Sequence, residues 1–136
     1  MPAEDCVFCK ILAGELPVHV IAESERAFAF ADINPATRGH TLVVPRLHVA
    51  DIHEISAADL TACVLLAQDV ARRARDRLGA DGVNVLHSTG RAAWQLVPHF
   101  HVHVIPRYAG DQLRLPCAPP PADAKEIAAM AATLRG

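Results

Sequence analysis

The sequence predicts an α+β domain: an antiparallel sheet of about five strands with one long helix and a short C-terminal helix. Short runs of β-branched, aliphatic and aromatic residues recur between Pro, Gly and charged turn signals, and the first two runs are joined as a hairpin. A single longer stretch repeats its apolar residues at helical spacing. Those two observations carry the prediction.

In chain order, Val18 to Glu23 and Ala27 to Asp32 read as strands joined by the polar turn Ser24-Glu25-Arg26. Asn34-Pro35 breaks the chain, Gly39 supplies a flexible point, and Thr41 to Val44 reads as a buried strand stopped by Pro45. Ser56 with Asp59 resembles a capping box, and Leu60, Cys63, Val64, Ala67, Val70, Ala71, Ala74 and Leu78 mark the apolar face of the main helix. Arg72, Arg73, Arg75 and Arg77 complement the negative end of its dipole and read as a solvated face, while Gly79 is placed to end it. Val83 to His87 and His99 to Ile105 complete the strands, the last ending at Pro106. Pro116 and Pro119-Pro120-Pro121 make a stiff linker to a short amphipathic helix carrying Ile127, Met130 and Leu134. The expected organisation is one domain over residues 1–115, with a Pro-rich segment and C-terminal helix over 116–136 packed on it.

With 136 residues and 51% hydrophobic content, the chain can bury one real core. Its 13 basic and 15 acidic residues are mixed, and the net charge of −2 gives no broad positive field for a nucleic-acid polymer. A small anionic ligand is still compatible, because histidines and backbone N–H groups can bind phosphate locally. Met1 to Cys9 carries acids, and no stretch approaches the ~20 apolar residues of a membrane span, so the expectation is a soluble cytoplasmic protein with no membrane partner. Four cysteines, two of them in Cys6-Val7-Phe8-Cys9, fit a reducing compartment better than a disulfide scaffold.

His99-Phe100-His101-Val102-His103-Val104-Ile105 is the most informative segment. Alternation on a strand puts three imidazoles on one face and Phe100, Val102 and Val104 on the other. Sheet packing gives no reason for such a stripe. At about 3.3 Å per residue, the outer Cα atoms lie ~13 Å apart, too far for all three rings to share one metal, although two neighbours could. Divided labour follows, with a central ring doing chemistry and its neighbours orienting it or meeting substrate. Imidazole suits this chemistry because its pKa of about 6.5 leaves a neutral nucleophilic fraction, and a protonated neighbour can stabilise phosphate charge.

This run resembles the His-x-His-x-His-x-x signature of the histidine-triad (HIT) family. Phe28-Ala29-Phe30-Ala31-Asp32-Ile33-Asn34-Pro35 is similar to the family's nucleoside-binding strand and turn, and Arg38-Gly39-His40-Thr41-Leu42-Val43-Val44-Pro45-Arg46 to its Gly-His-x-Leu-Val-x-Pro segment. The resemblance implies a HIT-like fold with His101 as the nucleophile attacking an α-phosphorus, His103 on the phosphate oxygens, and His40 and His99 supporting the ring. It places Phe8, Ile11, Phe30 and Ile33 around the base, with Asp32 accepting from the ribose hydroxyls. Apolar walls fit a flat base, and a carboxylate can accept two hydroxyl donors.

The loop before the triad departs from the family. Many relatives show Gly-Gln-Ser or Gly-Gln-Thr where this chain reads Trp94-Gln95-Leu96, and Ser88 stands where an asparagine is frequent. Leu96 cannot donate the hydroxyl hydrogen bond that relatives offer, which leaves backbone N–H groups as donors there. Gln95 matches the family glutamine as a phosphate or leaving-group contact, with Ser88 beside the substrate.

Cys6 and Cys9 have the spacing of a zinc knuckle, which needs two further ligands. The resemblance, to bacterial-type zinc-containing members, implies that Cys6, Cys9, His48 and His99 hold a structural Zn²⁺ that the chemistry itself does not require. A redox dithiol and unliganded packing cysteines are the alternatives. Cys63 and Cys117 read as structural or incidental, and His19, His53 and His87 as surface or packing residues. The implied activity is hydrolysis of purine nucleoside phosphoramidates or related AMP and GMP conjugates, through a covalent nucleotidyl-histidine, in a homodimer. Dinucleoside polyphosphate hydrolysis and nucleotide binding with vestigial catalysis are the alternatives.

Overall fold

The computed structural model describes residues 3–114 and 119–136, so Pro116, Cys117 and the expected boundary at 115 lie outside the described residues. The elements are α1 (Val7–Leu12), β1 (Val20–Glu23), β2 (Ala27–Ala31), β3 (Thr41–Pro45), α2 (Ala57–Leu78), β4 (Gly82–Leu86), β5 (Val102–Arg107) and α3 (Ala124–Arg135). The strands form one antiparallel sheet in the order β1-β2-β3-β5-β4, as the sequence predicts. Among the described residues, no helix is long and apolar enough to cross a membrane.

Alternation in the central strands sorts the core into two layers. Ala27, Ala29, Val43, Val102 and Val104 pack with Phe100 against Cys63, Leu66, Ala67 and Val70 of α2, the two alanines letting the helix approach the sheet closely. Phe28, Phe30, Leu42 and Val44 face the other way and meet Cys6, Phe8 and Cys9 at the start of α1. The central strands are therefore covered on both faces. α2 is capped as its sequence indicates: the Ser56 side chain accepts from the Asp59 N–H, and Gly79 ends the helix in the left-handed conformation.

Both ends of β5 need correction, and α1 carries no signal in the sequence. α1 escapes a periodicity reading because its six residues span less than two turns, too few to show a helical stripe. β5 begins at Val102 rather than His99, since the Phe100 N–H donates to the Val49 carbonyl at 2.7 Å instead of joining the sheet. The strand also runs through Pro106 to Arg107; Pro106 lies opposite Val83, and its carbonyl accepts from the Thr37 hydroxyl. The C-terminal helix forms as α3, and all of its residues are exposed, Ile127, Met130 and Leu134 included.

Gly39 opens the segment that delivers β3. Its φ is +90°, and an added Cβ would stand 2.6 Å from Leu78 Cδ1 and 3.2 Å from Pro106 Cγ. Gly39→Ala is expected to cost about 1–3 kcal/mol, from the strained conformation and the clash together. Denaturant unfolding of the variant, compared with the parent, measures it.

Candidate active site and metal cluster

The alternation that buries Phe100, Val102 and Val104 beneath α2 turns the triad toward α1. Phe8 stands edge-on to His99 and His101 at 5.7 and 5.2 Å, and the His101 and His103 rings are 5.1 Å apart. The three imidazoles share one face, as expected.

Backbone groups fix the protons. His101 Nδ1 lies 2.8 Å from the His99 carbonyl, which only accepts, so Nδ1 carries the proton and Nε2 keeps its lone pair. His40 Nδ1 accepts from the Ala36 N–H at 2.9 Å, leaving its proton on Nε2, which donates to His103 Nδ1 at 3.0 Å. His103 therefore holds a proton on Nε2 while neutral. His40 orients His103 rather than His101, and the support for His101 comes from the backbone of His99.

His87, which the sequence offers only as a surface or packing residue, is part of this scaffold. It stacks on Phe100 with centroids 4.3 Å apart and donates from Nδ1 to the His101 carbonyl, while its Nε2 accepts from the Thr89 hydroxyl. No motif marks it in the sequence.

His101 and His103 line a cavity of about 670 Å³, within the range of roughly 300–1,000 Å³ common for small-molecule sites. Phe8, Ile11, Phe30, Asp32 and Ile33 line it too, so the predicted base and ribose residues are brought together with the triad. Phe8 and Phe30 are also buried core, whereas Ile33 is 83% exposed at the rim. One Asp32 oxygen accepts from the Asn34 N–H and the other sits 3.6 Å from His40 Nε2. None of the described lining residues is Lys or Arg. Ser88 and Gln95 do not line this cavity. Gln95 is turned inward instead: its carbonyl accepts from the Gly90 N–H, and its amide nitrogen donates to the carbonyls of Ala50 and Val97. Trp94 and Leu96 line the cavity in its place.

Burial sets the titration of the rings. It lowers His103 to about 4, helped by the neighbouring His101 and His40 rings and opposed by Asp32. His101 is lowered as well, chiefly by burial, and the bond to the His99 carbonyl opposes the shift. The expected protonated neighbour is thus replaced near neutral pH by a neutral His103 that still donates from Nε2.

Cys6, Cys9, His48 and His99 form a second cluster behind the triad, with their ligand atoms within 4.8 Å of one another. His99 Nδ1 lies 3.3 Å from Cys6 Sγ and 3.6 Å from Cys9 Sγ, and His48 Nδ1 is 3.3 Å from Cys9 Sγ. Tetrahedral zinc with ordinary bond lengths holds its ligands roughly 3.3–3.8 Å apart. The His99 Nε2–H donates to the Pro45 carbonyl at 3.0 Å, which leaves Nδ1 free to bind a cation and supplies the outer partner that metal-bound histidines need. The donor set fits a metal. Asp32, His40 and His103 also converge within 4.8 Å, but the Ala36 bond keeps a proton on the His40 nitrogen that faces them, which suits an orienting relay rather than ligation.

A family model described as the HIT domain matches residues 13–110, and the chain belongs to the HIT family. It is 39% identical over 102 residues to an adenosine 5'-monophosphoramidase of Schizosaccharomyces pombe, covering 75% of this chain and 74% of that protein. A crystal structure from Streptococcus mutans UA159 superposes with a TM-score of 0.92 at 34% identity, covering 98% of this chain and 85% of the other. A Zn-bound histidine-triad family protein from Mycobacterium smegmatis superposes with a TM-score of 0.78 at 39% identity, covering 96% of each chain.

The titration of His103 carries a consequence for stability. Its folded pKa of about 4 lies below the unfolded value of 6.5, so the unfolded chain binds more protons between these limits and stability falls as pH drops from about 6.5 to 4. Thermal melts across that window are expected to show a shallower decline for His103→Asn than for the parent.

Proposed function

We propose that the protein is a nucleotide hydrolase that cleaves at the α-phosphate of purine nucleoside phosphoramidates, through a nucleotidyl intermediate on His101. One observation carries this reading: His101 Nε2 keeps its lone pair, because Nδ1 is committed to the His99 carbonyl, on a ring that lines the cavity. Phe8, Ile11, Phe30 and Ile33 take the purine, and Asp32 accepts from the ribose hydroxyls. In this orientation the α-phosphorus meets the histidines.

His101 Nε2 attacks phosphorus and forms the P–N bond, while the bond to the leaving group breaks with its electron pair going to the leaving atom. That atom takes a proton from water at the cavity mouth. Because the described lining holds no Lys or Arg, charge on the phosphate oxygens is met by the His103 Nε2–H and by loop N–H groups. A second water then attacks phosphorus, the bond to Nε2 breaks, and the nucleoside monophosphate leaves while the attacking water's proton passes to solvent. The activity named for the Schizosaccharomyces pombe relative supports the phosphoramidate reading. Leu96 in place of a hydroxyl residue favours a second reading, nucleotide binding with vestigial turnover.

With radiolabelled AMP phosphoramidate in a single turnover, label is expected to stay on the acid-quenched parent and to be absent from His101→Ala, with turnover falling by about 10³-fold or more. Turnover no higher than the His101→Ala background, with AMP still bound, establishes the second reading instead.

Cys6, Cys9, His48 and His99 would hold a structural Zn²⁺, as the donor set and the Zn-bound relative support. The ion would tie α1 to the triad segment and takes no part in the steps above. Elemental analysis is expected to find about one zinc per chain in the parent and in Cys63→Ala, and none in Cys6→Ala. Zinc-free parent protein refutes the assignment. The free thiols Cys6, Cys9 and Cys63 suit a reducing cytoplasm. A homodimer joined across β4 is supported by its place at the sheet edge and by the exposed Val83 and Val85.

A further inference from the structure

His101 stands just outside the sheet. The paired residues of β5 begin with Val102, opposite Val43 of β3, and His103, opposite Leu86 of β4, so both ladders stop short of His101. A side chain continues where the ladder ends: His87, the first residue beyond β4, donates from Nδ1 to the His101 carbonyl at 2.8 Å.

That donor is itself held. The Thr89 hydroxyl oxygen accepts from the Ile52 N–H at 3.1 Å and gives its own proton to His87 Nε2, which confines the His87 proton to Nδ1. The ring lies on Phe100, itself fully buried, with the two planes 24° apart. Phe100 would stack on a hydrocarbon ring as well. An imidazole is needed only to span Thr89 on one side and the His101 carbonyl on the other.

Two peptide groups around His101 are fixed in this way. In the peptide that joins His99 to Phe100, the N–H donates to the Val49 carbonyl at 2.7 Å and the carbonyl accepts from the His101 ring. In the peptide that follows His101, the carbonyl is held by His87. Between these planes the direction in which the His101 side chain leaves the backbone is set. Val49 and Ile52 both belong to the connection between β3 and α2, so one segment braces the first peptide directly and the second through Thr89 and His87.

We infer that His87 is a positioning residue for the reaction at His101: its hydrogen bond to the His101 carbonyl aims the ring into the cavity and serves the chemical step rather than nucleotide binding. This inference rests on the proposed hydrolase reading. His87 is not among the residues lining the cavity, so it acts through His101 and not on the substrate. A nucleophile displaced by about 1 Å can lose on the order of a hundredfold in rate, which leaves room for a large effect from outside the site.

Two substitutions separate the hydrogen bond from the packing. His87→Phe keeps a ring on Phe100 and removes the donor, whereas His87→Asn removes the ring and keeps an N–H on the atom bonded to Cγ, where Nδ1 stood. With AMP phosphoramidate as substrate, kcat is expected to fall about tenfold or more in His87→Phe, with KM changed less than about twofold, and to be largely recovered in His87→Asn. A ring that merely fills space gives the reverse order, because asparagine leaves the larger void. The reverse order, equal losses, or a loss carried by KM overturns the inference. A second readout needs no turnover: the Cε1–H signal of His101 in protein labelled with ¹³C-histidine is expected to be single and sharp in the parent and His87→Asn, and broadened or split in His87→Phe. An identical signal in all three overturns the inference. If the parent releases no AMP, the hydrolase reading fails and this signal decides the positioning by itself.

Discussion

Backbone groups decide which nitrogen of each triad ring carries a proton, and the chemistry of the site depends on that choice. An imidazole free in solution divides its proton between two nitrogens; here the carbonyls of His99 and Pro45 each claim the N–H of one ring. His101 is left with a bare Nε2 toward the cavity and His99 with a bare Nδ1 toward the two thiols. Neighbouring histidines of identical type thus acquire opposite tautomers and different work. The Ala36 N–H sets His103 at one remove, through His40.

His99 joins the two halves of the site. Its carbonyl aligns His101 while its ring faces Cys6 and Cys9, so one residue serves the His101 ring through the backbone and the cysteine–histidine cluster through the side chain. His87 acts from the opposite side, stacked on Phe100 and bonded to the His101 carbonyl. The segment that carries His101 is held on both faces, which restricts its ring to a narrow range of geometry.

Much of this was legible in the sequence because it follows from periodicity. Alternation placed the triad on one face, the Ser56 and Gly79 caps bounded α2, and the strand segments paired in the expected antiparallel sheet. The parts that escaped are set by single tertiary bonds. No pattern distinguishes a glutamine turned toward substrate from one pinned by Gly90, Ala50 and Val97, so Gln95 read as a ligand contact when it is a strut. His87 lacked a motif because its role depends on a carbonyl 14 residues away. The exposure of α3 was hidden for the opposite reason: Ile127, Met130 and Leu134 describe an amphipathic face without saying what it covers.

The cluster behind the triad brings the beginning of the chain to the segment that leads into β5. Cys6 and His99 are 93 positions apart, and a cation bridging them would act as a cross-link closing a very long loop, the kind whose removal frees the most chain entropy. α1 carries Cys9 and also Phe8 and Ile11, two walls of the proposed purine site, and Cys6 caps its start. Anything that displaced the two cysteines would therefore shift Phe8 and Ile11, and with them one wall of the cavity, while leaving the His101 ring in place.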